Sequence, residues 1–176
     1  LDTTGRPIDE GEGEVFLVPP SVGLSQALLN RDHEKVYYEG CPRGPGGQVL
    51  RRHGDLLARL PGGFYRAQGR SDDTMNLGGI KISSLEIERV VDHHPDVNES
   101  AAVAVQTGGE GAEMLVLFIV PPGEADRDRL LAELQSRIAS ELNPLFKIRD
   151  LVFVNDLPRT ATNKLMRRKL RARYGR

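Results

Sequence analysis

The sequence predicts an α+β fold in two parts. Residues 1–71 form a small β-rich subdomain, and residues 72–176 form an α+β domain in which a three-stranded sheet is flanked by helices. Three observations predict this. The first part is rich in turn residues and carries only short apolar runs. From Gly78 onward, strand-like segments alternate with segments whose apolar residues recur at helical spacing. Between the two textures lies a short polar break, GRSDD, at Gly69–Asp73.

In the first part, EVFLV (Glu14–Val18) reads as a short strand. GLSQALLN, Gly23–Asn30, reads as a brief helical turn, and CPRGPGG is loop material. GQVLRRHGDLLARL (Gly47–Leu60) alternates well enough for a strand, a turn at Gly54 and a second strand. GGFYRAQGR (Gly63–Arg70) is a further strand, entered through two glycines.

In the second part, GGIKI is a short strand, and Ser83 with Glu86 has the spacing of a capping box. The helix that follows places Ile87, Val90, Val91 and His94 on one side, and Pro95 ends it. SAAVAVQT (Ser100–Thr107) and MLVLFIV (Met114–Val120) are strands joined through glycines. Asp126 caps a second helix with the stripe Leu130, Leu131, Leu134, Ile138 and Leu142. DLVFVNDL (Asp150–Leu157) is a third strand, and LMRRKLRARY (Leu165–Tyr174) a final helix. The order strand, helix, strand, strand, helix, strand, helix describes one α+β domain.

Composition narrows the function. The 176 residues, 39% hydrophobic, suffice for one ordinary domain or two small ones. Lys plus Arg is 24 and Asp plus Glu is 25, so the balance lacks the basic excess of a general nucleic-acid binder. The lone Cys41 makes neither an internal disulfide nor a zinc site and fits a reducing cytoplasm. No apolar run approaches the roughly 20 residues of a membrane helix, so no membrane partner is expected. The opening LDTTGRPIDEGEGEVFLV reads like the middle of a domain, and the chain is expected to be part of a longer protein.

Four stretches carry residues suited to chemistry. HGDLL sets Asp55 after a glycine, where a carboxylate can accept from a sugar diol or serve as an ordinary turn aspartate. GRSDD sets Arg70, Asp72 and Asp73 at the junction, for a phosphate or ribose or as a surface ion cluster. NLGGIKI offers two glycines, Gly78 and Gly79, and then Lys81. The glycines permit close backbone approach to a ligand, or simply a tight turn. PRTATNKLMRRKL presents Lys164 after small polar residues and ahead of a basic helix.

Taken in order and at these separations, the stretches resemble motifs of the adenylate-forming acyl-CoA synthetase superfamily. HGDLL resembles its ribose-binding aspartate motif, GRSDDTMNLGGIKISSLEIERV its hinge motif, and PRTATNKLMRRKL its C-terminal catalytic-lysine motif. With LNPLFK, the combination is most similar to acyl-activating enzymes close to acetyl-CoA synthetase, including plant peroxisomal ones. The resemblance implies that the second part is the mobile C-terminal lid and the first the end of the large N-terminal domain. It implies ATP, AMP and CoA as ligands, with Mg²⁺ carried by the nucleotide and no protein metal site, and a carboxylic acid as substrate. Asp55 and Arg70 would bind the nucleotide and Asp72 would be the hinge. Gly78, Gly79 and Lys81 would lie by CoA, and Lys164 would be the catalytic lysine. A lysine acetyltransferase acting on Lys164 is a further implied partner.

The match has departures. The residue before the lysine is usually glycine in this family, and here it is Asn163, which tolerates left-handed backbone better than most residues. The family's Gly/Ser/Thr-rich phosphate loop and its acyl pocket are not in these residues, so the chain alone is expected to be inactive. His33, His53, His93 and His94 show no metal spacing; His93 and His94 suit a helix C-terminus. Two rival readings stand beside the synthetase. One is an adenylation enzyme that loads a carrier-protein thiol. The other is a non-enzymatic module binding nucleic acid through its basic C-terminal helix, with the strong salt dependence such binding shows.

Overall fold

The computed structural model describes residues 1–2, 5–106 and 113–175. They divide into two compact units, Leu1–Asp72 and Asp73–Arg176.

The first unit is built on an antiparallel sheet of three strands in sequence order: β1 (Gly11–Leu17), β2 (Arg51–Arg59) and β3 (Tyr65–Arg70). An α-helix, α1, spans His33–Tyr37 between β1 and β2 and is capped by the Asp32 carboxylate, which accepts from Lys35 N–H at 3.1 Å. GLSQALLN is not helical, contrary to the sequence expectation. Leu29 there is almost wholly exposed, so a helix would gain no burial, and helix formation shifts to where Asp32 can cap it.

Gly54 is not the turn that its place in the sequence suggests. The chain does not turn back there; β2 runs straight through it. Between the pairs Glu14–Leu56 and Phe16–Arg52, the single residue Val15 stands opposite His53, Gly54 and Asp55. This bulge is possible because Gly54 adopts φ +84°, and bulges re-aim the side chains beside them.

The second unit opens with a hairpin of β4 (Thr74–Leu77) and β5 (Ile80–Ser83). The sequence reading had found only the second of these strands. TMNL is too short to show a period, and it becomes a strand by pairing across the two-residue Gly78–Gly79 turn. Helix α2 (Ser84–Val91) follows, with both halves of the expected capping box formed by Ser83 and Glu86. It ends at Val91, before His94, yet His94 is buried and meets Glu133 at 2.8 Å. His93 Nδ1 instead lies against the Arg89 carbonyl, at the helix C-terminus.

The main sheet of this unit has the order β6 (Glu99–Gln106), β7 (Glu113–Val120), β8 (Ile148–Phe153). β6 and β7 are antiparallel; the turn expected between them lies outside the described residues. β7 and β8 are parallel, because α3 (Arg127–Glu141) carries the chain back across the sheet. The Asp126 carboxylate caps α3 by accepting from Asp128 and Arg129 N–H, both at 3.0 Å. β8 starts earlier and stops sooner than Asp150–Leu157, since its pairing runs out beside Ile119.

The final helix, α4, is Arg167–Tyr174. The sheet has a core on each face. Ala102, Ala104, Leu115, Leu117 and Leu151 pack with Ile87 and Val91 of α2 and with Leu130, Leu134 and Ile138 of α3. Ala101, Val103, Val116 and Phe118 pack with Leu170 of α4. The strands read as continuous apolar runs because both faces are covered.

Candidate functional site

In the first unit, the bulge and the end of β3 bring four sequence-predicted or neighbouring residues together. Asp55 is paired with Arg70 across the β2–β3 ladder. Arg70 Nη1 donates to Asp55 Oδ1 at 3.0 Å and to the His53 carbonyl at 3.2 Å, and its Nε donates to Asp72 Oδ1 at 3.1 Å. His53 Nδ1 lies 3.0 Å from Asp55 Oδ2. Burial works against the charge on Arg70. The hydrogen bonds and charges of Asp72 and Asp55 outweigh it and hold the guanidinium above its ordinary value.

Asp55 remains partly open to solvent. A carboxylate has about four acceptor positions. With Arg70 and His53 on one position each, the remainder suffice to accept from a pair of hydroxyls, so a sugar diol fits the acceptors that remain. Gly54 seats the arginine: a Cβ there would stand 2.8 Å from Arg70 Nη2. The sequence reading saw Gly54 as a turn and missed this, because the approach comes from a residue on another strand.

In the second unit, Gly78 and Gly79 have φ +64° and +89°. They are the central residues of a two-residue hairpin loop, and positive φ at both is what a type I′ turn demands. The turn therefore accounts for the glycines by itself. The space where either Cβ would stand is open to 4 Å. Lys81 is exposed on β5, opposite Asn76, whose N–H donates to Glu113 Oε2 at 2.5 Å.

Lys164 lies in a tight loop between β8 and α4. Its stem is closed by a bridge between Arg159 and Leu165 and by Met166 N–H donating to the Pro158 carbonyl at 2.8 Å. Inside it, Thr160 N–H donates to the Lys164 carbonyl at 2.8 Å, and Lys164 N–H to Thr160 Oγ1 at 3.0 Å. Arg159 Nη1 donates to the Asn163 carbonyl at 3.2 Å while its Nη2 reaches Glu99 Oε2 at 2.7 Å. Asn163 has φ +63°, and among the described residues no other non-glycine has positive φ. The loop needs a left-handed residue immediately before the lysine, and asparagine supplies it where glycine is usual. Lys164 itself is exposed.

The basic helix is not a uniformly free surface. Arg167 turns inward, with Nη1 2.9 Å from Asp73 Oδ2 and Nη2 2.9 and 2.8 Å from the two Glu88 oxygens. Arg171 Nη2 is 3.6 Å from Asp73 Oδ1. Arg168, Lys169 and Arg173 are exposed. In sequence the helix reads only as basic, with nothing to single out Arg167. Its partners lie on α2 and at the start of the unit, which no local pattern reveals. Burial pushes the Glu88 carboxyl above its ordinary value, against the pull of Arg167 and the hydrogen bond from Ala102 N–H.

Among the described residues, no cluster of three or more His, Cys, Asp or Glu could hold a metal ion. No helix among them is long and apolar enough to cross a membrane.

The AMP-binding enzyme C-terminal domain model matches residues 86–164. The chain is 49% identical to a probable peroxisomal acyl-activating enzyme 17 of Arabidopsis thaliana, over 97% of this chain and 25% of that protein. It is 46% identical to a hexanoyl-CoA synthase of Cannabis sativa, over 99% of this chain and 25% of the relative. The chain thus spans about a quarter of the length of these curated relatives. A solved anthranilate CoA ligase in complex with anthranoyl-AMP superposes with a TM-score of 0.75 at 26% identity, over 98% of this chain and 32% of that one. The ordered motifs, the lysine loop and these likenesses agree: residues 86–164 belong to the AMP-binding enzyme C-terminal domain family, and the chain is similar along nearly its whole length to acyl-activating enzymes and CoA ligases.

Proposed function

We propose that the protein to which this chain belongs is an AMP-forming acyl-CoA synthetase. A carboxylate oxygen of the acid attacks the α-phosphorus of ATP, the bond to the bridging oxygen breaks, and pyrophosphate leaves. The CoA sulfur then attacks the carbonyl carbon of the acyl-adenylate, the thiol proton departs, and AMP leaves as the thioester forms. In this reading Leu1–Asp72 is the end of the large domain, Asp73 onward is the mobile lid, and Asp72 is the hinge between them.

One observation carries the reading. Lys164 is an exposed ammonium on a tight loop whose left-handed Asn163 and cross-loop hydrogen bonds to Thr160 fix the backbone that carries it. Attack at the α-phosphorus concentrates negative charge between two anions, and a lysine delivered there neutralises what develops in the transition state. It has to withdraw before CoA enters, which suits a residue on a moving unit.

Asp55 takes the ribose hydroxyls. Arg70, held between Asp55 and Asp72, faces the ribose or the phosphate. Gly78, Gly79 and Lys81 lie along the path of the pantetheine or the CoA phosphates, where the open space beside both glycines leaves room for an extended chain. Mg²⁺ arrives with ATP. An exposed, essential lysine is also a target for a lysine acetyltransferase. The lone Cys41 suits a reducing compartment, for which we propose the cytoplasm; the Arabidopsis relative is named peroxisomal.

The test is acid-dependent exchange of labelled pyrophosphate into ATP by the full-length protein, across short aliphatic, medium-chain and aryl acids. One acid or acid class drives exchange, and Lys164→Ala abolishes it while thioester formation from pre-made acyl-adenylate and CoA survives. No exchange with any acid, or normal exchange by Lys164→Ala, overturns the reading. A carrier-protein thiol accepted in place of CoA would reassign the acceptor.

A further inference from the structure

Lys164 is exposed, and the apolar contacts of its neighbours are modest. Leu165 packs, half-buried, against the core that α4 covers. Such contacts set the depth of a loop but not its direction, because apolar burial is non-directional. Direction has to come from hydrogen bonds of fixed geometry, and the structure supplies them at both stems of the loop.

On the incoming stem Arg159 joins Glu99 and the Asn163 carbonyl. On the outgoing stem Arg167 makes the fork to both Glu88 oxygens and a further bond to Asp73. These anchors extend through the unit. The Glu88 carboxylate also accepts from Ala102 N–H of β6 at 2.8 Å, and the Asp73 carbonyl accepts from Ser84 Oγ of α2 at 2.9 Å. One guanidinium therefore ties α4 to α2, to the central sheet and to Asp73, the first residue of the unit. The Arg167 and Glu88 side chains are only 15% and 8% exposed. Exposed ion pairs contribute little, but a guanidinium withdrawn from water that holds two carboxylates from two nitrogens is rigid, and removing one partner strands a buried charge.

We propose that Arg167 is a positioning residue for Lys164. It fixes the outgoing stem of the lysine loop to the residue that follows the hinge, so that rotation at the 72–73 junction carries Lys164 as a rigid projection. This rests on the reading of Lys164 as the adenylation lysine.

The full-length protein tests it through Arg167→Lys, which keeps a cation beside Glu88 and Asp73 but cannot hold both carboxylates from two nitrogens fixed in one plane. The kcat of acid-dependent pyrophosphate exchange falls roughly a hundredfold, the scale of a misplacement of about 1 Å. The KM values for ATP and acid hold, and thioester formation from acyl-adenylate plus CoA, which does not use Lys164, is retained. In a Lys164→Ala background, Arg167→Lys costs exchange nothing further, because residues acting as one unit are non-additive.

Should Arg167→Lys fail to fold, Asp73→Asn carries the test and gives the same split at smaller amplitude. Equal loss in both half-reactions, or a further loss in the double variant, overturns the proposal and leaves Arg167 a residue of the fold alone. A wild-type protein that exchanges with no acid fails earlier and identifiably, at the reading on which the proposal rests.

Discussion

Arg70 and Asp55 face each other across β2 and β3 with Nη1 and Oδ1 3.0 Å apart, and the same guanidinium holds Asp72 through Nε at 3.1 Å. The carboxylate proposed for the ribose and the carboxylate proposed for the hinge thus share one cation. Its position depends on a glycine. Gly54 supplies the positive φ of the bulge and leaves the space that Arg70 occupies.

Gly54→Ala should therefore do two things. It strains a left-handed backbone position, at a cost of about 1–3 kcal/mol. It also displaces Arg70 from Asp55, which weakens the seat proposed for ribose. Thermal denaturation should show the first as a lowered Tm. A raised KM for ATP in the full-length protein should show the second.

Lys164→Ala should leave stability unchanged within about 0.5 kcal/mol, as exposed substitutions away from special features do. Adenylation should fall by roughly 10²–10³-fold or more, the loss expected for one preorganised charge in a transition state. Denaturation midpoints and pyrophosphate exchange, measured on the same preparation, separate the two effects. A stability loss comparable to the activity loss would make the lysine a residue of the fold.

Asn163 offers a graded comparison. Asn163→Gly should be nearly neutral, since glycine takes φ +63° freely and loses only chain entropy. Asn163→Val forces a β-branched residue into the left-handed region, costs about 1–3 kcal/mol locally and misdirects Lys164. The exchange rates should rank asparagine and glycine together, far above valine.

Glu88 predicts a pH dependence. Burial raises its folded-state pKa above the value of the unfolded chain, although Arg167 pulls it down. The folded state then binds this proton more tightly than the unfolded state does. The stabilisation is complete below the unfolded pKa and is lost as pH rises through the folded pKa. Glu88→Gln, which keeps an acceptor for Ala102 N–H, should flatten that part of the stability–pH profile. Arg167→Gln should steepen it, because the counter-charge is gone. Urea midpoints measured from pH 4 upward, well beyond the ordinary carboxylate range, read both slopes.

Most of the second unit was legible because its signals are local and mutually consistent. The Ser83–Glu86 box, the Asp126 cap and the stripe of Leu130, Leu134 and Ile138 each lie within a few residues, and each formed as read. The first unit was less legible. Its strands are short, Gly54 reads as a turn unless β1 and β3 are already beside it, and Leu29 of GLSQALLN is almost wholly exposed. β4 exists only because β5 pairs with it.

The sequence by itself determined the family, the alternation of helices and strands in the second unit, and the candidates Asp55, Arg70, Asp72 and Lys164. These rest on residue types at fixed spacings along one chain. Tertiary structure alone decided which groups meet: Arg70 between Asp55 and Asp72, His53 on Asp55, and Arg167 turned from a basic helix into a buried fork on Glu88 and Asp73. A guanidinium's partner is set by which elements pack together, and that is fixed by burying apolar faces from distant parts of the chain. The charge is written locally; its use is decided only when the core closes.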